Sequence, residues 1–258
     1  MTYSIKTGFK LVQPITYPGG SPVVGSPIGG SPIGGSYQKL VLAQSPQNYW
    51  RLGESSGTTV VDEIGNNNGT YINSPTQGTD GLIIDSNTAV SFNGSTQRVD
   101  IIGFSKPSGE DITVACWFKS PNTPDTSSYQ HIVGGSDAFG IYFNHPGVAG
   151  GSPFSAVIVR NTSVAVWASF GTYTPDTTVF LVFTYDGSSL KTYNNGSLIT
   201  TTNSAGTINA ESAFKFMRHY SLTATSNHVE GTLDEVTILD RALSVEEITA
   251  LYDKGKNG

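Results

Sequence analysis

From residue 37 to the C-terminus, short runs of apolar or alternating residues are separated by turn signals about every ten residues. Seven such runs predict strands that begin at Ala89, Asp111, Phe139, Phe154, Ser163, Val179 and Leu190. The dipeptides Asn93-Gly94, Asp186-Gly187 and Asn195-Gly196 lie between runs and are typical of hairpin turns. This spacing predicts an all-β fold, an antiparallel two-sheet jelly-roll sandwich.

Two of these runs, residues 113–118 and 180–183, are apolar on both faces, which predicts strands that are covered on both sides. One segment near the C-terminus has a helical pattern instead, where Ser244 and Glu247 form a capping box. The apolar residues after it share one helical face: Val245, Ile248, Leu251 and Tyr252. A single helical turn is predicted around residues 45–50.

The first 36 residues have a different character, and we assign residues 1–36 to an extended N-terminal arm and residues 37–258 to the jelly-roll domain. Residues 19–36 read GGSPVVGSPIGGSPIGGS, a repeat of five residues that excludes helix and disfavours a central strand. Its composition is that of a flexible linker. The repeat also places Val23, Ile28 and Ile33 at equivalent positions after each proline. Apolar residues spaced in this way predict an arm that anchors in a groove or stacks with its own copies.

Composition limits the classes of partner. A chain of 258 residues suits one large all-β domain or two small domains. Its net charge is −6, and only 13% of its residues are charged, which is typical of a β-rich protein with many turns. A negative surface gives no electrostatic basis for binding nucleic acid or inserting into an anionic membrane. The only cysteine, Cys116, lies in an apolar run, so we expect a buried core residue.

Four stretches in order carry a resemblance to a known family. They read NYWRLGE at 48–54, followed by TVVD and GNNNGTY; VSFNGS at 90–95; TYDG at 184–187 with YNNG at 193–196; and GTLDEVTILDRALS at 231–244. Over about residues 41–253 their order resembles the laminin G-like jelly rolls of the concanavalin A-like superfamily. The chain lacks the Trp-His pair that such domains often carry before the TYDG strand. The resemblance implies that the strand with Asp234-Glu235-Val236 runs near a sheet edge, with the C-terminal helix packed across it.

The resemblance also implies a structural Ca²⁺, because laminin G-like domains often hold one at a sheet edge through the aspartate of this motif. Asp234 is the residue carried over, with Asn93 and Asp62 as further oxygen donors, and hard oxygen ligands suit this ion. The alternative is that Asp234 pairs within the sandwich, with Arg241 as its counter-charge. No other cofactor is expected.

We expect no enzymatic activity. Glycoside hydrolysis needs two carboxylates facing each other across a cleft, and the acidic trio that the superfamily's hydrolases use at alternate positions does not occur. The adjacent pairs Glu110-Asp111 and Asp234-Glu235 are expected to point to opposite faces of their strands. The histidines form no nucleophilic or zinc motif: His131, His145, His219 and His228. His219 and His228 lie in a region rich in Thr and Ser and are expected at the surface.

Sugars are commonly bound by exposed aromatic rings together with polar groups at a loop rim. Trp50, Trp117 and Trp167 are each expected in the core. The candidate ligand-binding residues lie in or beside predicted loops: Tyr129, His131, Tyr142, His145 and Tyr173.

A recognition-type fold without an apolar segment of signal-peptide length suggests a virion protein made in the host cytoplasm. We therefore expect an accessory structural protein, either a capsid decoration or a tail-fibre-associated adhesin. Its arm would bind other virion proteins or copies of itself, and its outward jelly roll would bind host-surface glycans. The alternatives are a stand-alone carbohydrate-binding module of a bacterial protein and, third, a glycoside hydrolase.

Overall fold

In the computed structural model, the described residues form two eight-stranded sheets that pack face to face, and the strand pairs among these residues are antiparallel. The structure describes residues 36–106, 109–135, 138–145, 154–160, 164–219 and 227–258. The folded unit comprises Gly35–Gly258. The predicted arm, with Val23, Ile28 and Ile33, lies outside the described residues. The jelly-roll prediction is confirmed for the remainder.

Sheet A has the strand order β14-β13-β12-β7-β16-β5-β4, and β1 pairs with one end of β16. Its strands are β1 (Asn48–Trp50), β4 (Thr76–Asp80), β5 (Thr88–Asn93), β7 (Asp111–Lys119), β12 (Val179–Asp186), β13 (Ser189–Asn194), β14 (Ser197–Asn203) and β16 (Glu230–Leu239). The two central strands β7 and β12 contain the runs that are apolar on both faces.

Sheet B has the strand order β11-β10-β9-β8-β15-β6-β3-β2. Its strands are β2 (Thr59–Val60), β3 (Gly69–Ile72), β6 (Arg98–Ile102), β8 (Gln130–Gly135), β9 (Phe139–Asn144), β10 (Ser155–Arg160), β11 (Val164–Ser169) and β15 (Ala213–Phe216). Alternate residues of these strands face sheet A, because successive side chains of a strand point to opposite faces.

The main core lies between the sheets and contains Cys116, which is buried as expected. A second apolar cluster covers the other face of sheet A, where Trp117 stacks on Phe180. Covering on both sides explains why β7 and β12 carry apolar residues at nearly every position. Trp50 belongs to the main core and Trp117 to the second cluster, so both are core residues as predicted.

Two helices cover the outer face of sheet A, α1 (Tyr37–Ala43) and α2 (Val245–Asn257). Helix α2 begins at the predicted capping box, in which Ser244 and Glu247 bond each other's backbone. Ile248 and Leu251 are buried against the sheet, and each such burial stabilises the fold by about 2 kcal/mol. Within the described residues, neither helix has the length and apolarity needed to cross a membrane.

Three local predictions are wrong. The segment at 45–50 forms strand β1 rather than a helical turn, while the unpredicted helix α1 precedes it. Asn93-Gly94 does not close a hairpin, because β5 belongs to sheet A and β6 to sheet B. Strand β16 lies in the interior of sheet A between β7 and β5, not near its edge. The turns at Asp186-Gly187 and Asn195-Gly196 do join hairpins, as predicted.

Candidate functional site

Six ring-bearing side chains meet at the outer face of sheet B and form what we call the aromatic–histidine cluster. Its members are Tyr129, His131, Tyr142, His145, Trp167 and His219. Both described helices lie on the other sheet, so no described helix covers this face. The cluster is therefore built from strand and loop residues alone.

The alternation of the strands sets the direction of these rings. In β9, Ile141 and Phe143 belong to the core, so Tyr142 between them points outward. In β11, Val166 and Ala168 belong to the core, so Trp167 points to the same outer face.

In β8, irregular pairing on both sides of His131 places two consecutive residues, Ile132 and Val133, in the core. Such a bulge re-aims the side chains around it. His131 pairs in register with Tyr142 and so shares its outward face.

Two glycines make room for the central imidazole. Gly134 and Gly140 are paired across β8 and β9, and Lys215 and Val157 pair with them on the outer sides. A Cβ atom on Gly134 would lie 2.7 Å from Nδ1 of His131, and one on Gly140 would lie 3.0 Å from Cα of Gly134. His131 therefore rests directly on the backbone of the sheet.

The rings pack closely around His131 and His145. The ring centroids of His131 and Tyr142 are 3.9 Å apart, and those of His131 and His219 are 4.9 Å apart. The His145 and Trp167 centroids are separated by 4.2 Å. The Tyr142 hydroxyl lies 3.4 Å from Nε2 of His219. The cluster is thus a continuous layer of π faces and edges, the arrangement on which sugar rings stack.

Exposure within this layer is uneven. Tyr129 is 37% exposed, Trp167 is half-buried, and the other four members are buried. Tyr129 and Trp167 both contact His145, which is buried between them. A ligand would therefore meet the rings of Tyr129 and Trp167 first.

Burial keeps the histidines of the cluster neutral. It lowers the pKa of His131 well below the usual range, and the neighbouring His219 and His145 lower it further. Burial, together with His145 and Arg218, lowers the pKa of His219 to about 4. Burial also lowers the pKa of His145. At neutral pH these imidazoles act as uncharged aromatic and hydrogen-bonding groups.

Four of the five predicted ligand-binding residues meet in this cluster: Tyr129, His131, Tyr142 and His145. Tyr173 does not join them. Its ring packs on Phe118 and Phe143, and its hydroxyl bonds backbone groups of Ser120 and Thr177, which is a structural role.

Two members of the cluster, Trp167 and His219, are not among the binding residues that the sequence predicts. Trp167 lies on the outer face and not in the core as predicted, and its alternation with Val166 and Ala168 is the available signal. The prediction that His219 and His228 lie at the surface is wrong, because both are buried. The polar neighbours of His219 in sequence do not indicate the rings that contact it in space.

The carboxylates of Asp234 and Glu235 lie together, contrary to the expectation that they point to opposite faces. A β-bulge interrupts the pairing of β16 with β7 here, and Glu235 has a φ of +53°. Nδ2 of Asn87 donates to Oδ1 of Asp234 at 3.4 Å and to Oε1 of Glu235 at 3.1 Å. Both carboxylates are fully buried, so they cannot reach a substrate from outside.

Arg51 is the cation that bonds Glu235. Its Nη2 donates to Glu235 and to Asp85 at 2.8 Å each, and the Tyr49 hydroxyl also donates to Glu235. Burial and then repulsion from Glu235 raise the pKa of Asp234. Arg241, the expected counter-charge, instead pairs with Glu247.

The three predicted calcium ligands do not form one site. Asp62 accepts four hydrogen bonds that fix the segment from Asn48 to Asn67. Oδ1 of Asn93 accepts three backbone N–H bonds within its own loop. Asn93 pairs with Glu230 of β16. Glu230 precedes Asp234 by four residues, or about 13 Å along the strand, so Asn93 is too far away to share an ion with Asp234. The described part of the chain holds no group of three metal-ligating side chains, and calcium at Asp234 stays a prediction.

The fold resembles domains from several solved proteins. Domain 4 of AbnA, an extracellular arabinanase of Geobacillus stearothermophilus solved with arabinotriose, matches with a TM-score of 0.60 and 18% identity, covering 80% of this chain and 98% of that one. The binding domain of Paraclostridial Mosquitocidal Protein 1 matches with a TM-score of 0.62 and 15% identity, covering 81% of this chain.

A structure of botulinum neurotoxin type C, whose cell entry depends on two ganglioside molecules, matches with a TM-score of 0.59 and 15% identity over 83% of this chain. The match covers 52% of each toxin chain, so this protein spans about half their length.

No curated protein sequence matches this chain. The family profile described as the concanavalin A-like lectin/glucanases superfamily matches residues 93–249. The chain therefore belongs to the Laminin_G_3 family of that superfamily.

Proposed function

We propose that this protein is a non-enzymatic glycan-binding protein whose ligand stacks on the aromatic–histidine cluster. The observation that carries the proposal is the pair of accessible rings, Tyr129 and Trp167, which pack over the buried Tyr142 and the buried neutral histidines. Aromatic faces can stack on the apolar face of a sugar, and the nitrogens and hydroxyls beside them can form hydrogen bonds with the sugar's hydroxyl groups. Two similar solved proteins support the same class of ligand: the arabinanase domain was solved with arabinotriose, and cell entry of botulinum neurotoxin type C depends on gangliosides.

A glycan array probed with the full-length chain tests this proposal. We expect selective binding that is lost in Trp167→Ala and retained in Leu198→Ala. Leu198 is an exposed apolar residue on β14 of the other sheet and is therefore a matched control. Equal binding by both variants, or no binding by the wild type, would contradict the proposal.

We propose further that the protein is a virion accessory protein, a capsid decoration or tail-associated adhesin, which residues 1–36 anchor to the particle. The five-residue repeat supports an anchoring role because it offers regularly spaced apolar residues on a chain that cannot form its own core. Deleting residues 1–36 should abolish incorporation into particles and leave the jelly roll folded, with only the loss of the Ser36 cap on helix α1. Normal incorporation of the truncated protein would refute the anchor.

A stand-alone carbohydrate-binding module is the second candidate. It is favoured by the likeness to domain 4 of the arabinanase, of which the match covers 98%. Glycan binding by the full-length chain without any association with particles would select this candidate over the virion role.

The hydrolase alternative has one structural feature in its favour. A polar cavity of about 300 Å³ at one end of the sandwich is lined by two carboxylates, Asp125 and Glu230. Asp125 accepts hydrogen bonds from Ser127, and Glu230 accepts one from Asn122. Release of reducing sugar by the wild type that disappears in Glu230→Gln would establish an enzyme; we expect no release from either.

A further inference from the structure

Two cavities adjoin at one end of sheet A, where residues 170–178 connect β11 to β12. They have volumes of about 240 Å³ and 480 Å³ and share Thr178 and Asn195 in their walls, and we call the two together the Thr178 groove. The smaller cavity has mainly apolar and aromatic walls, formed by Leu82, Ile84, Trp117 and Tyr252. The larger one is rich in hydroxyl groups, from Thr172, Thr174 and Thr177. No residue that lines either cavity belongs to the aromatic–histidine cluster.

Bonds to the neighbouring backbone fix both walls of the groove. The backbone N–H of Asn195 donates to the carbonyl oxygen of Phe180, and Oδ1 of Asn195 accepts from the N–H of Phe180, each at 2.9 Å. Tyr252 packs on the same turn, since a Cβ atom on Gly196 would lie 3.2 Å from Cδ1 of its ring. On the opposite wall, the hydroxyl of Tyr173 bonds the backbone of residues 170–178. A site that is formed before its ligand arrives avoids the free-energy cost of ordering loops on binding.

Several polar groups in these walls have no partner in the described part of the chain. The hydroxyls of Thr178 and Tyr252 form no hydrogen bond with described residues, and Asn195 uses its Oδ1 but not its Nδ2. Oδ1 of Asn194, in the wall of the larger cavity, is buried and accepts no hydrogen bond from those residues. A buried acceptor without a donor costs free energy, which a ligand hydroxyl that reaches it would recover.

The polar cavity at Asp125 and Glu230 differs in this respect. There Glu230 accepts a hydrogen bond from Asn122, and Asp125 accepts bonds from Ser127. These lining groups satisfy one another, whereas the Thr178 groove presents polar groups that are left for a ligand.

The lining of the groove has the chemistry of a site for an uncharged sugar. No carboxylate is among the residues that line it, and the one charged side chain, Lys256, is exposed. Threonine hydroxyls and asparagine amides both donate and accept hydrogen bonds, as sugar hydroxyls do. The smaller cavity, at about 240 Å³, lies below the roughly 300–1,000 Å³ of pockets for drug-sized ligands, so it suits a single sugar ring beside Tyr252.

We propose that the Thr178 groove is a second glycan-binding site. Its smaller cavity takes the terminal ring of a neutral oligosaccharide, and the following sugars lie along the threonines of the larger cavity. The inference goes beyond the proposed function, because this site requires neither Trp167 nor the histidines. The aromatic–histidine cluster is an open layer of rings, whereas the groove encloses the end of a sugar chain, so the two sites should select different glycans.

A glycan array that includes arabinotriose, cellotriose, maltotriose, galactotriose and sialyllactose tests the groove in the full-length chain. Thr178→Phe fills the junction of the two cavities, and Thr201→Phe is the matched control because it places the same ring at an exposed position of β14 outside the groove. Besides the glycans that depend on Trp167, we expect a second, neutral set that Trp167→Ala and Thr201→Phe retain and Thr178→Phe loses. Thr178→Val keeps the side-chain volume and removes the hydroxyl. In calorimetric titration it should weaken binding of this set about fivefold, the worth of one neutral hydrogen bond.

The outcomes separate this site from the cluster. If Trp167→Ala loses every glycan that the wild type binds, the proposed function stands and the groove is not a glycan site. If Trp167-independent binding persists in Thr178→Phe, with a cooperative thermal transition showing that the variant is folded, the groove proposal fails. If Trp167→Ala keeps all binding and Thr178→Phe loses it, the proposed function fails and the groove proposal stands. Trp167-independent binding of sialyllactose alone would overturn the assignment to neutral sugars, and no binding by the wild type would overturn both proposals.

Discussion

The imidazole rings of His131 and His219 stack on each other, with centroids 4.9 Å apart and planes inclined by 23°. One ring comes from β8 and the other from the segment after β15, so the contact joins residues that are distant in sequence. Two stacked imidazolium rings would repel each other, and burial already disfavours the charged form of each. The cluster therefore depends on neutral histidines.

This dependence predicts a loss of stability in acid. The pKa of His219 in the folded protein is about 4, below the value near 6.5 of an unfolded histidine. Because folding lowers this pKa, neutral His219 contributes fully to the free energy of unfolding above pH 6.5. As the pH falls toward 4, up to about 3 kcal/mol of that free energy is lost. Urea unfolding at several pH values between 7.5 and 4 should show this decline. In His219→Phe the decline should be shallower, and parallel curves for the two proteins would contradict the prediction.

Gly134 is predicted to be irreplaceable as long as His131 remains. In Gly134→Ala the new methyl group would meet the buried imidazole at 2.7 Å, so we expect a loss of about 2 kcal/mol in the free energy of unfolding. The double variant Gly134→Ala/His131→Ala removes the obstructing ring, so the two effects should not add. A double-mutant cycle from urea unfolding measures this coupling, and strict additivity would show that the imidazole does not rest on Gly134.

Arg51 should matter far more for stability than Arg241. Arg51→Met leaves the buried carboxylate of Glu235 without its cation, and we expect a loss of about 3 kcal/mol. Arg241→Met removes an ion pair to Glu247 that is about one-third exposed, so its cost should stay below about 1 kcal/mol. Chemical unfolding of both variants provides the comparison. Equal losses would mean that Arg51 does not stabilise the buried carboxylate of Glu235.

Calcium at Asp234 is testable through its effect on thermal stability. If the ion binds only the folded protein, chelation with EDTA should lower the melting temperature and added Ca²⁺ should restore it. Asp234→Asn should remove the response, and Asp62→Asn should keep it because Asp62 belongs to a separate hydrogen-bond network. Identical melting curves of the wild type with EDTA and with Ca²⁺ would exclude the site.

The sandwich could be predicted from the sequence because alternation and turn dipeptides are local signals. The runs that are apolar on both faces, in β7 and β12, also indicated strands that are covered on both sides, as these two strands of sheet A are. The bulge at Glu235 could not be predicted, because it lies in the pairing of β16 with the distant strand β7, which short motifs do not contain. The pairing of the two carboxylates was therefore missed.

The candidate site was only partly predictable for a related reason. Tyr142 and His145 were selected as candidates from their position near loops, but their contacts with Trp167 arise from the order β8-β9-β10-β11 in the sheet. His219 joins them through the pairing of β15 with β8. Which strands become neighbours is a non-local property that short motifs do not contain.

Calorimetric titration of the full-length chain and of Trp167→Ala with the best oligosaccharide from the array decides whether a glycan binds at the aromatic–histidine cluster. Trp167 is half-buried and packs on Tyr142 and His145, so its removal should lower the melting temperature and remove a stacking surface worth at least tenfold in affinity. We expect saturable binding by the wild type and none that is measurable by Trp167→Ala, which should still unfold in a cooperative thermal transition above the temperature of the titration. Equal affinity of the two proteins would contradict the proposed function.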